Sequence, residues 1–425
     1  MRIMWASHVI PYPPKSGVHL RSYHLLRAAG MHNDVDLLAF IQEPWLKIFY
    51  ASREEALEDC TRHLRDICAS VRFLPIDNLT RPFGKVRTAI EGVLSRQSYT
   101  VRWLQSRAAR QAFADCARGA AYDLAHFDTI SLAPFRPLFA RTPATLGHHN
   151  VESHMLRRRS QSETDWLKRW YFLQESSSVG GYETRVAGNF AAHIACSELD
   201  CERLRALSAQ IHAVAIPNGV DVEYFRPAGR AAQQHTLVFV GSLNWYPNVD
   251  AVSFLLREVW PLLKSRVPSV RLDVVGSAPP ESILRLAASR ADVKVHGFVD
   301  DVRPFMDAAT LYVCPIRDGG GTKLKLLDAF AMAKCVVAHP IACEGIDVAA
   351  GRNVMLADSA AQFADCIQTL LENQILRERI GKAARELVVA HYSFAQIGRR
   401  LCEVFEAAAA SGRQDLRPSS CGQLI

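Results

Sequence analysis

The stretch at residues 310–333 constrains the fold most, because it joins an apolar run, a glycine-rich turn and a helical pattern. Thr310–Pro315 predicts a buried parallel strand, and Leu324–Ala333 predicts a helix. The turn between them, Gly319–Lys323, lets the backbone approach a ligand, while the amides at a helix start favour an anion. Lys323 adds a positive charge, so the stretch predicts an α/β fold with an anion site. A plain glycine-rich turn is the alternative.

Length and composition limit the classes of protein that this chain can belong to. Its 425 residues predict two domains, and the 49% of hydrophobic residues can fill two cores. The formal charge of +7 suits a phosphate-bearing ligand or an anionic membrane surface. It is too small an excess to predict a nucleic-acid partner.

The cysteines and the amino terminus bear on the compartment. The 11 cysteines are scattered without a CxxC pair, which predicts buried free thiols, such as Cys196, Cys314 and Cys335, in a reducing compartment. Met1–Ala6 is short, apolar and followed at once by prolines, so it predicts a first strand rather than a signal peptide. We see no run of about 18 uncharged apolar residues and therefore expect a cytoplasmic protein.

Short apolar runs alternate with helical or polar segments in both halves of the chain, which predicts two parallel sheets with helices on both faces. The first series of predicted strands is Ile3–Ser7, Val35–Phe40, Val71–Leu74, Asp123–Phe127, Ala144–His148 and His193–Cys196. The second series is Leu237–Val240, Arg271–Val275, Val293–His296, Leu311–Cys314, Val336–Ala338 and Val354–Leu356.

A Pro-Asn-Gly turn beginning at Pro217 and a polar stretch after it predict a linker between the two domains. Since ligands of open α/β sheets bind beyond the carboxyl ends of the strands, we expect the domains to face each other across a cleft. The predicted divisions are a domain at 1–215, a linker at 216–235, a domain at 236–390, a helix at 391–410 that packs back on the first domain, and a disordered tail at 411–425.

Several motifs occur in an order and spacing that resemble the family-4 glycosyltransferases, which are retaining enzymes of the GT-B fold. The motifs are Ile216–Asp221, Phe239–Ser242, Val295–Phe298, and Gly319–Lys323 followed by Leu327–Ala333. Trp245–Asp250 is similar to a segment of bacterial exopolysaccharide sugar transferases. The resemblance implies two doubly wound, Rossmann-like domains, of which the second binds a nucleotide-diphosphate sugar and the first binds the acceptor.

The resemblance also implies roles for single residues. Lys323 neutralises the donor phosphate and supports catalysis, and Asp328 binds ribose hydroxyls. The remaining donor contacts implied are Gly17, Gly241, Asp318, Gly319, Gly320, Gly321, Thr322 and Glu344. No cofactor and no metal is expected, because the sequence offers no good set of metal ligands. In the front-face reaction that the resemblance implies, the donor phosphate takes the proton of the acceptor, so no dedicated protein base is expected.

The chain departs from the family pattern at three places. Gly320 stands where the family often has a first glutamate, eight residues before Asp328. No basic residue follows Gly241 at Ser242–Trp245, and Ser16–Gly17 replaces two glycines. Two alternatives to a transferase therefore stay open: a GT-B protein that binds a nucleotide sugar without transferring it, and a GT-B epimerase or phosphorylase.

Polar residues at the ends of predicted strands are the candidates on the acceptor side. Asp128 follows one strand, and His149 and Glu152 follow the next, where an acceptor contact or proton transfer is expected. His148 and His149 have no third ligand at a useful spacing, so no metal site is predicted. Asp34–Asp36 fits a DxD pattern, but its place at a strand start predicts a capping or surface role.

We therefore predict a cytoplasmic, metal-independent, retaining glycosyltransferase. Its donor is a nucleotide-diphosphate sugar, and its acceptor is a glycan or lipid-linked glycan of exopolysaccharide or cell-envelope polysaccharide synthesis. Arg157–Arg159 with Trp166, Trp170 and Tyr171 fits peripheral contact with an anionic inner membrane face, and a solvated basic helix is the alternative.

Overall fold

The structure is a computed structural model that describes residues 1–77, 92, 98–229, 233–319 and 322–415, with side chains up to residue 411. The chain divides into two compact units. The N-terminal unit is Met1–Pro217 together with the chain from Ile397 onward, and the C-terminal unit is Asn218–Gln396. The predicted linker began at residue 216, and the predicted second domain ended at residue 390.

The N-terminal unit contains a seven-stranded sheet in which every pair of strands is parallel. Its strands are β1 Arg2–Ser7, β2 Asp34–Phe40, β3 Ser70–Leu74, β4 Leu124–Phe127, β5 Ala144–Gly147, β6 Ala192–Ala195 and β7 Ala213–Ala215. Their order is β3-β2-β1-β4-β5-β6-β7, so the direction of winding reverses between β1 and β4. Helices cover both faces, which is why the central strands β1, β4 and β5 are buried over nearly their whole length. The sequence did not predict β7, a three-residue strand at the sheet edge.

Three helices of this unit begin at a serine cap. The hydroxyl of Ser52 accepts the amide of Glu55, Ser106 accepts that of Ala109, and Ser197 accepts that of Asp200. The α-helices are Gly17–Gly30, Glu43–Leu46, Arg53–Arg65, Tyr99–Arg102, Arg107–Gly119, Glu152–Ser162, Trp166–Val186, Glu198–Leu207 and the final Phe394–Asp415. Two 3-10 helices are Ile130–Phe139 and Ala187–Asn189.

The C-terminal unit repeats the architecture with six parallel strands in the order β10-β9-β8-β11-β12-β13. The strands are β8 Thr236–Val240, β9 Arg271–Val275, β10 Val293–Gly297, β11 Leu311–Cys314, β12 Val336–Ala338 and β13 Met355–Leu356. The helices are Tyr246–Phe254, Trp260–Arg266, Glu281–Ala288, Arg303–Ala308, Leu324–Ala331, Ala360–Glu372 and Gln374–His391, with a π-helical turn at Leu255–Val259 and a 3-10 turn at Pro340–Cys343. Every strand predicted from the sequence is present, within one residue of its predicted bounds.

The final helix completes the core of the N-terminal unit. Ile397, Leu401, Phe405 and Ala408 are buried in the same cluster as residues of β1 and β2. The helix continues to Asp415, whereas the sequence placed the start of a disordered tail at residue 411. The reason is that a run of alanines carries the helix onward, since alanine has the highest helix propensity. The rest of the predicted tail, residues 416–425, lies outside the described residues.

None of the described helices is long and apolar enough to cross a bilayer. Ten cysteines in the described part of the chain are free thiols, and Cys196, Cys314 and Cys335 are buried, as predicted.

The packing of the final helix gives a first prediction, for Phe405→Ala. The Phe405 ring is fully buried, with its centroid 6.0 Å from that of Trp5 and 5.3 Å from that of His126. Truncation should lower the free energy of unfolding of the N-terminal unit by about 3–5 kcal/mol, measured by calorimetry with denaturant melts. Phe298→Ala is the matched control, because this ring is 70% exposed. Equal melting of the two variants would contradict the packing.

Candidate functional site

In the C-terminal unit, the strand order reverses between β8 and β11, and ligands of open parallel sheets bind at the carboxyl ends of strands at such a point. Gly241 follows β8 there, and the glycine-rich turn follows β11. The turn leads into the helix Leu324–Ala331, so the amides of this helix start face the same edge. Of the predicted donor residues, Gly320 and Gly321 lie outside the described residues.

Two glycines, Gly241 and Gly276, allow close contacts of the main chain at this edge. The amide of Gly241 donates to the Val275 carbonyl at 2.9 Å, and the amide of Gly276 donates to the Gly297 carbonyl at 2.9 Å. A Cβ on Gly276 would overlap the carbonyl of Gly241, and a Cβ on Gly241 would overlap the ammonium of Lys325. Glycine at position 241 therefore makes room for a buried cation directly beside the end of β8.

Two lysines bring positive charge to this edge. The ammonium of Lys323, which is buried, donates to the Gly319 carbonyl at 3.0 Å. The ammonium of Lys325 donates to Asn248 Oδ1 at 2.5 Å, and Asn248 Nδ2 donates to the Ser242 carbonyl at 2.7 Å. Burial lowers the pKa of Lys325 to about 8, because the charged form loses solvation. An anion bound here would compensate the lost solvation of the Lys325 ammonium.

The turn itself is held by the segment that follows β8. Gly319 has φ of 103°, a conformation that favours glycine, and its Cα face lies against Trp245 and Pro247. Asp318 accepts the hydroxyl of Tyr246 at 3.1 Å and the amide of Gly319 at 2.6 Å. The aromatic segment that the sequence singled out therefore shapes the predicted anion site.

Asp328 and Thr322 lie beside the lysines with unusual environments. Burial raises the pKa of Asp328 to about 7, although Lys325 lowers it. Among the described residues, the Thr322 hydroxyl is buried without a hydrogen-bond partner. Both groups gain from a polar ligand, since an unsatisfied buried polar group is costly.

The two other predicted donor residues, Glu344 and Gly17, lie on other segments of the chain. Glu344 follows the 3-10 turn Pro340–Cys343, which comes after β12 in the same unit. The neighbouring Cys343 is close enough to Lys323 for the ammonium to lower its pKa, which burial raises to about 12. Gly17 is the exposed first residue of the helix Gly17–Gly30 in the N-terminal unit.

The reversal point of the N-terminal sheet gathers a second polar cluster around Asp128, which follows β4. Ser22 donates to Asp128 Oδ2 at 2.6 Å, and Ser7, the last residue of β1, donates to it at 3.3 Å. His149 Nε2 lies 3.2 Å from Asp128 Oδ1, and His8 Nδ1 lies 3.9 Å from Oδ2. Burial raises the pKa of Asp128, but its interactions with the histidines outweigh burial and hold it well below its usual range. The predicted pair Asp128 and His149 is thus in contact.

The sequence analysis missed two histidines at this edge. Burial, reinforced by His149, lowers the pKa of His8 to about 4 and that of His19 to about 3, so both imidazoles are neutral at pH 7. His19 stacks on Trp45 at 4.1 Å and its Nδ1 lies 2.7 Å from Ser16 Oγ. His8 directly follows β1 just as Asp128 follows β4, and this shared position could have revealed it.

Glu152, the third predicted acceptor residue, has a different neighbour. It begins the helix Glu152–Ser162, and burial together with the charge of Glu183 raises its pKa to about 7. The carboxyl group that acts on Glu152 is therefore Glu183, a buried residue of the helix Trp166–Val186, and not Asp128.

The predicted surface or capping role of the DxD pattern is wrong for Asp36. This residue is buried and accepts hydrogen bonds from Arg2 (2.9 Å), Tyr122 (2.9 Å) and Ser70 (2.5 Å). A position near the start of a strand suggested exposure to solvent, but Asp36 lies in the core. The three hydrogen-bond donors compensate the burial of its carboxylate.

Comparisons with known proteins agree with this arrangement. Residues 234–373 match the family "Glycosyl transferases group 1". A phosphatidyl-myo-inositol mannosyltransferase of Mycobacterium tuberculosis is 31% identical over 221 residues, which cover 47% of this chain and 55% of the relative. The match thus spans about half the length of the mycobacterial relatives.

Solved structures extend the likeness of fold to nearly the whole chain. HepE of Anabaena in complex with UDP has a TM-score of 0.67 at 16% identity and covers 96% of this chain and all of that one. Sucrose-phosphate synthase of Thermosynechococcus elongatus has a TM-score of 0.69 at 16% identity and covers 97% of this chain and all of that one. The predicted GT-B fold of two Rossmann-like domains is confirmed. The resemblance to glycosyltransferases read from the motifs is also confirmed: residues 234–373 match the group 1 glycosyl transferases, and the likeness to the mycobacterial mannosyltransferase extends over about half of the chain.

Proposed function

We propose that the chain is a glycosyltransferase that moves a sugar from a nucleotide-diphosphate donor to an acceptor hydroxyl with retained configuration. One observation carries the proposal: Lys323, Lys325 and the glycine-rich turn lie at the strand edge of a domain that matches the group 1 glycosyl transferases. HepE, which shares the fold, was solved with UDP, a ligand of the class proposed here.

The chemistry of the donor side follows from the charges. Breaking a glycosyl–phosphate bond builds negative charge on the leaving diphosphate, and fixed cations and amides stabilise it. Lys323, Lys325 and the amides at the start of the helix Leu324–Ala331 supply these groups without a metal ion. Asp328 takes ribose hydroxyls, which offer its buried carboxyl the hydrogen bonds that it needs. The leaving phosphate accepts the proton of the acceptor hydroxyl, as the family resemblance implies.

We assign the acceptor to the polar edge of the N-terminal unit. Asp128 and His149 present an acceptor and a donor of hydrogen bonds, as orienting a sugar hydroxyl requires. A lipid-linked glycan at the inner face of the cytoplasmic membrane is the acceptor that we favour, in exopolysaccharide or cell-envelope polysaccharide synthesis. The alternative of a nucleotide-sugar-binding protein without activity rests on Gly320, which replaces the family's first glutamate.

Replacement of the lysines tests the donor site. Lys323→Ala and Lys325→Ala should each weaken nucleoside-diphosphate binding about tenfold or more, because each removes a charge-assisted contact to phosphate. Isothermal titration with a panel of nucleoside diphosphates measures binding, and release of nucleotide from the matching sugar donors measures turnover. Lys382→Ala is the control, since its side chain is 81% exposed. Binding unchanged in both variants would overturn the donor site, and binding without any turnover would favour the inactive alternative.

An exposed stripe on the helix Trp166–Val186 supports the proposal of contact with a membrane. Trp166, Trp170 and Leu173 are 74%, 54% and 53% exposed and recur at helical spacing on one side. Lys168 and Arg169 lie between them in sequence, and tryptophans beside basic residues are typical of helices that rest at a lipid interface. We propose that this stripe rests on anionic lipid.

Vesicle binding tests the stripe. Replacing Trp166, Trp170 and Leu173 by serine should reduce co-sedimentation with phosphatidylglycerol vesicles several-fold, because the apolar contact area is lost. The matched control replaces Phe298 and Ile375, which are 70% and 82% exposed, by serine. Equal sedimentation of the two variants would show that general basic charge, rather than this stripe, attracts the chain to vesicles.

A further inference from the structure

Side chains of types that can bind a metal ion follow three neighbouring strands of the N-terminal sheet. His8 follows β1, Asp128 follows β4 and His149 lies two residues beyond β5, and β4 pairs with both β1 and β5. One ligand atom from each of the three side chains lies within 4.8 Å of the other two. We propose that these residues bind one divalent transition-metal ion of the zinc class.

The distances fit such an ion with small adjustments. Bonds of about 2.0–2.1 Å to zinc place tetrahedral ligand atoms about 3.4 Å apart. His149 Nε2 lies 3.2 Å from Asp128 Oδ1, and His8 Nδ1 lies 3.9 Å from Oδ2. These two distances run to different oxygens; for one ligand atom from each residue, the three atoms lie within 4.8 Å of one another, so the imidazoles must move closer to bind one ion. The three ligands follow strands that are hydrogen-bonded to one another, which favours a defined geometry.

The hydrogen bonds leave suitable atoms for the ion. Among the described residues, His8 Nδ1 is buried without a hydrogen-bond partner, which leaves a costly unsatisfied nitrogen that a metal would satisfy. Both hydroxyl contacts of Asp128, from Ser22 and Ser7, are made to Oδ2, so Oδ1 faces His149. Outer hydrogen bonds of this kind orient a ligating carboxylate and raise metal affinity.

The ligand types select the class of ion. Two imidazoles and one carboxylate suit Zn²⁺, Co²⁺, Ni²⁺ or Fe²⁺, whereas Mg²⁺ and Ca²⁺ prefer oxygen ligands throughout. Three protein ligands leave a coordination position for water or for an oxygen of a bound molecule. A bound ion would occupy the atoms of Asp128 and His149 that the proposed function assigns to the acceptor, so an acceptor hydroxyl would then reach this edge through the open coordination position. The proposed ligands belong to the N-terminal unit, whereas the lysines and amides of the donor turn belong to the C-terminal unit.

Metal titration of the full chain tests the site. Protein without a histidine tag is stripped with EDTA and titrated with Zn²⁺ by calorimetry and with Co²⁺ by its visible absorption bands. We expect one equivalent to bind and the melting temperature to rise. His8→Gln, Asp128→Asn and His149→Gln should each lower the affinity at least tenfold, and Ser22→Ala about tenfold through the carboxylate. His32→Gln, an exposed histidine, is the matched control.

Three results would overturn the site: no binding with Zn²⁺ in excess, binding that the ligand variants leave unchanged, or equal affinity for Mg²⁺. The second result would assign the ion to other histidines of the chain. Asp128 is buried and its variant can fail to fold, so the circular dichroism of each variant is measured first, and His8→Gln decides if Asp128→Asn is unfolded. Nucleoside-diphosphate binding, measured in the same samples, reports on the donor turn independently.

Discussion

The parallel pairing of β8 with β11, and of β1 with β4, brings chain segments that are distant in sequence to one edge of each sheet. At each reversal point, the two connections that follow the strands lead away in opposite directions. This leaves a crevice at the carboxyl ends of the two strands. Gly241 and the glycine-rich turn flank it in one unit, and Ser7 and Asp128 flank it in the other. The positions of the polar groups therefore follow from the order of the strands.

Burial of ionisable groups at these edges is the second feature that both units share. Lys325 loses solvation beside Gly241, and Asp328 loses it one helical turn further on. In the N-terminal unit, Asp128 keeps its charge because the hydroxyls of Ser22 and Ser7 and the ring of His149 contact it. Buried charge is costly when it is unpaired, so its presence at strand ends favours a ligand that completes the pairing. Perturbed groups of this kind cluster at functional sites.

The sequence predicted the sheets well because each central strand is a short apolar run that ends at a polar residue or glycine. β9, β11 and β12 have the predicted bounds, whereas β7 has too few residues to show a pattern. The role of Gly241 beside Lys325 could not be predicted, since the contact joins the end of β8 to a helix more than eighty residues away. Asp36 shows the same limit, because its three donors come from distant segments. His8 was missed because a histidine after a first strand has no local pattern of its own.

The central claim is that a diphosphate binds at the end of β8 and β11 and pairs with the buried ammonium of Lys325. The most direct measurement is the dissociation constant of the tightest nucleoside diphosphate as a function of pH. We predict a rise in this constant above the Lys325 pKa of about 8 that approaches tenfold per pH unit, as the free lysine loses its proton, in addition to the dependence from the Asp328 carboxyl, with a pKa of about 7, and from the terminal phosphate. Lys325→Arg should flatten this profile, since the guanidinium stays protonated. A wild-type profile as flat as that of Lys325→Arg would contradict the account.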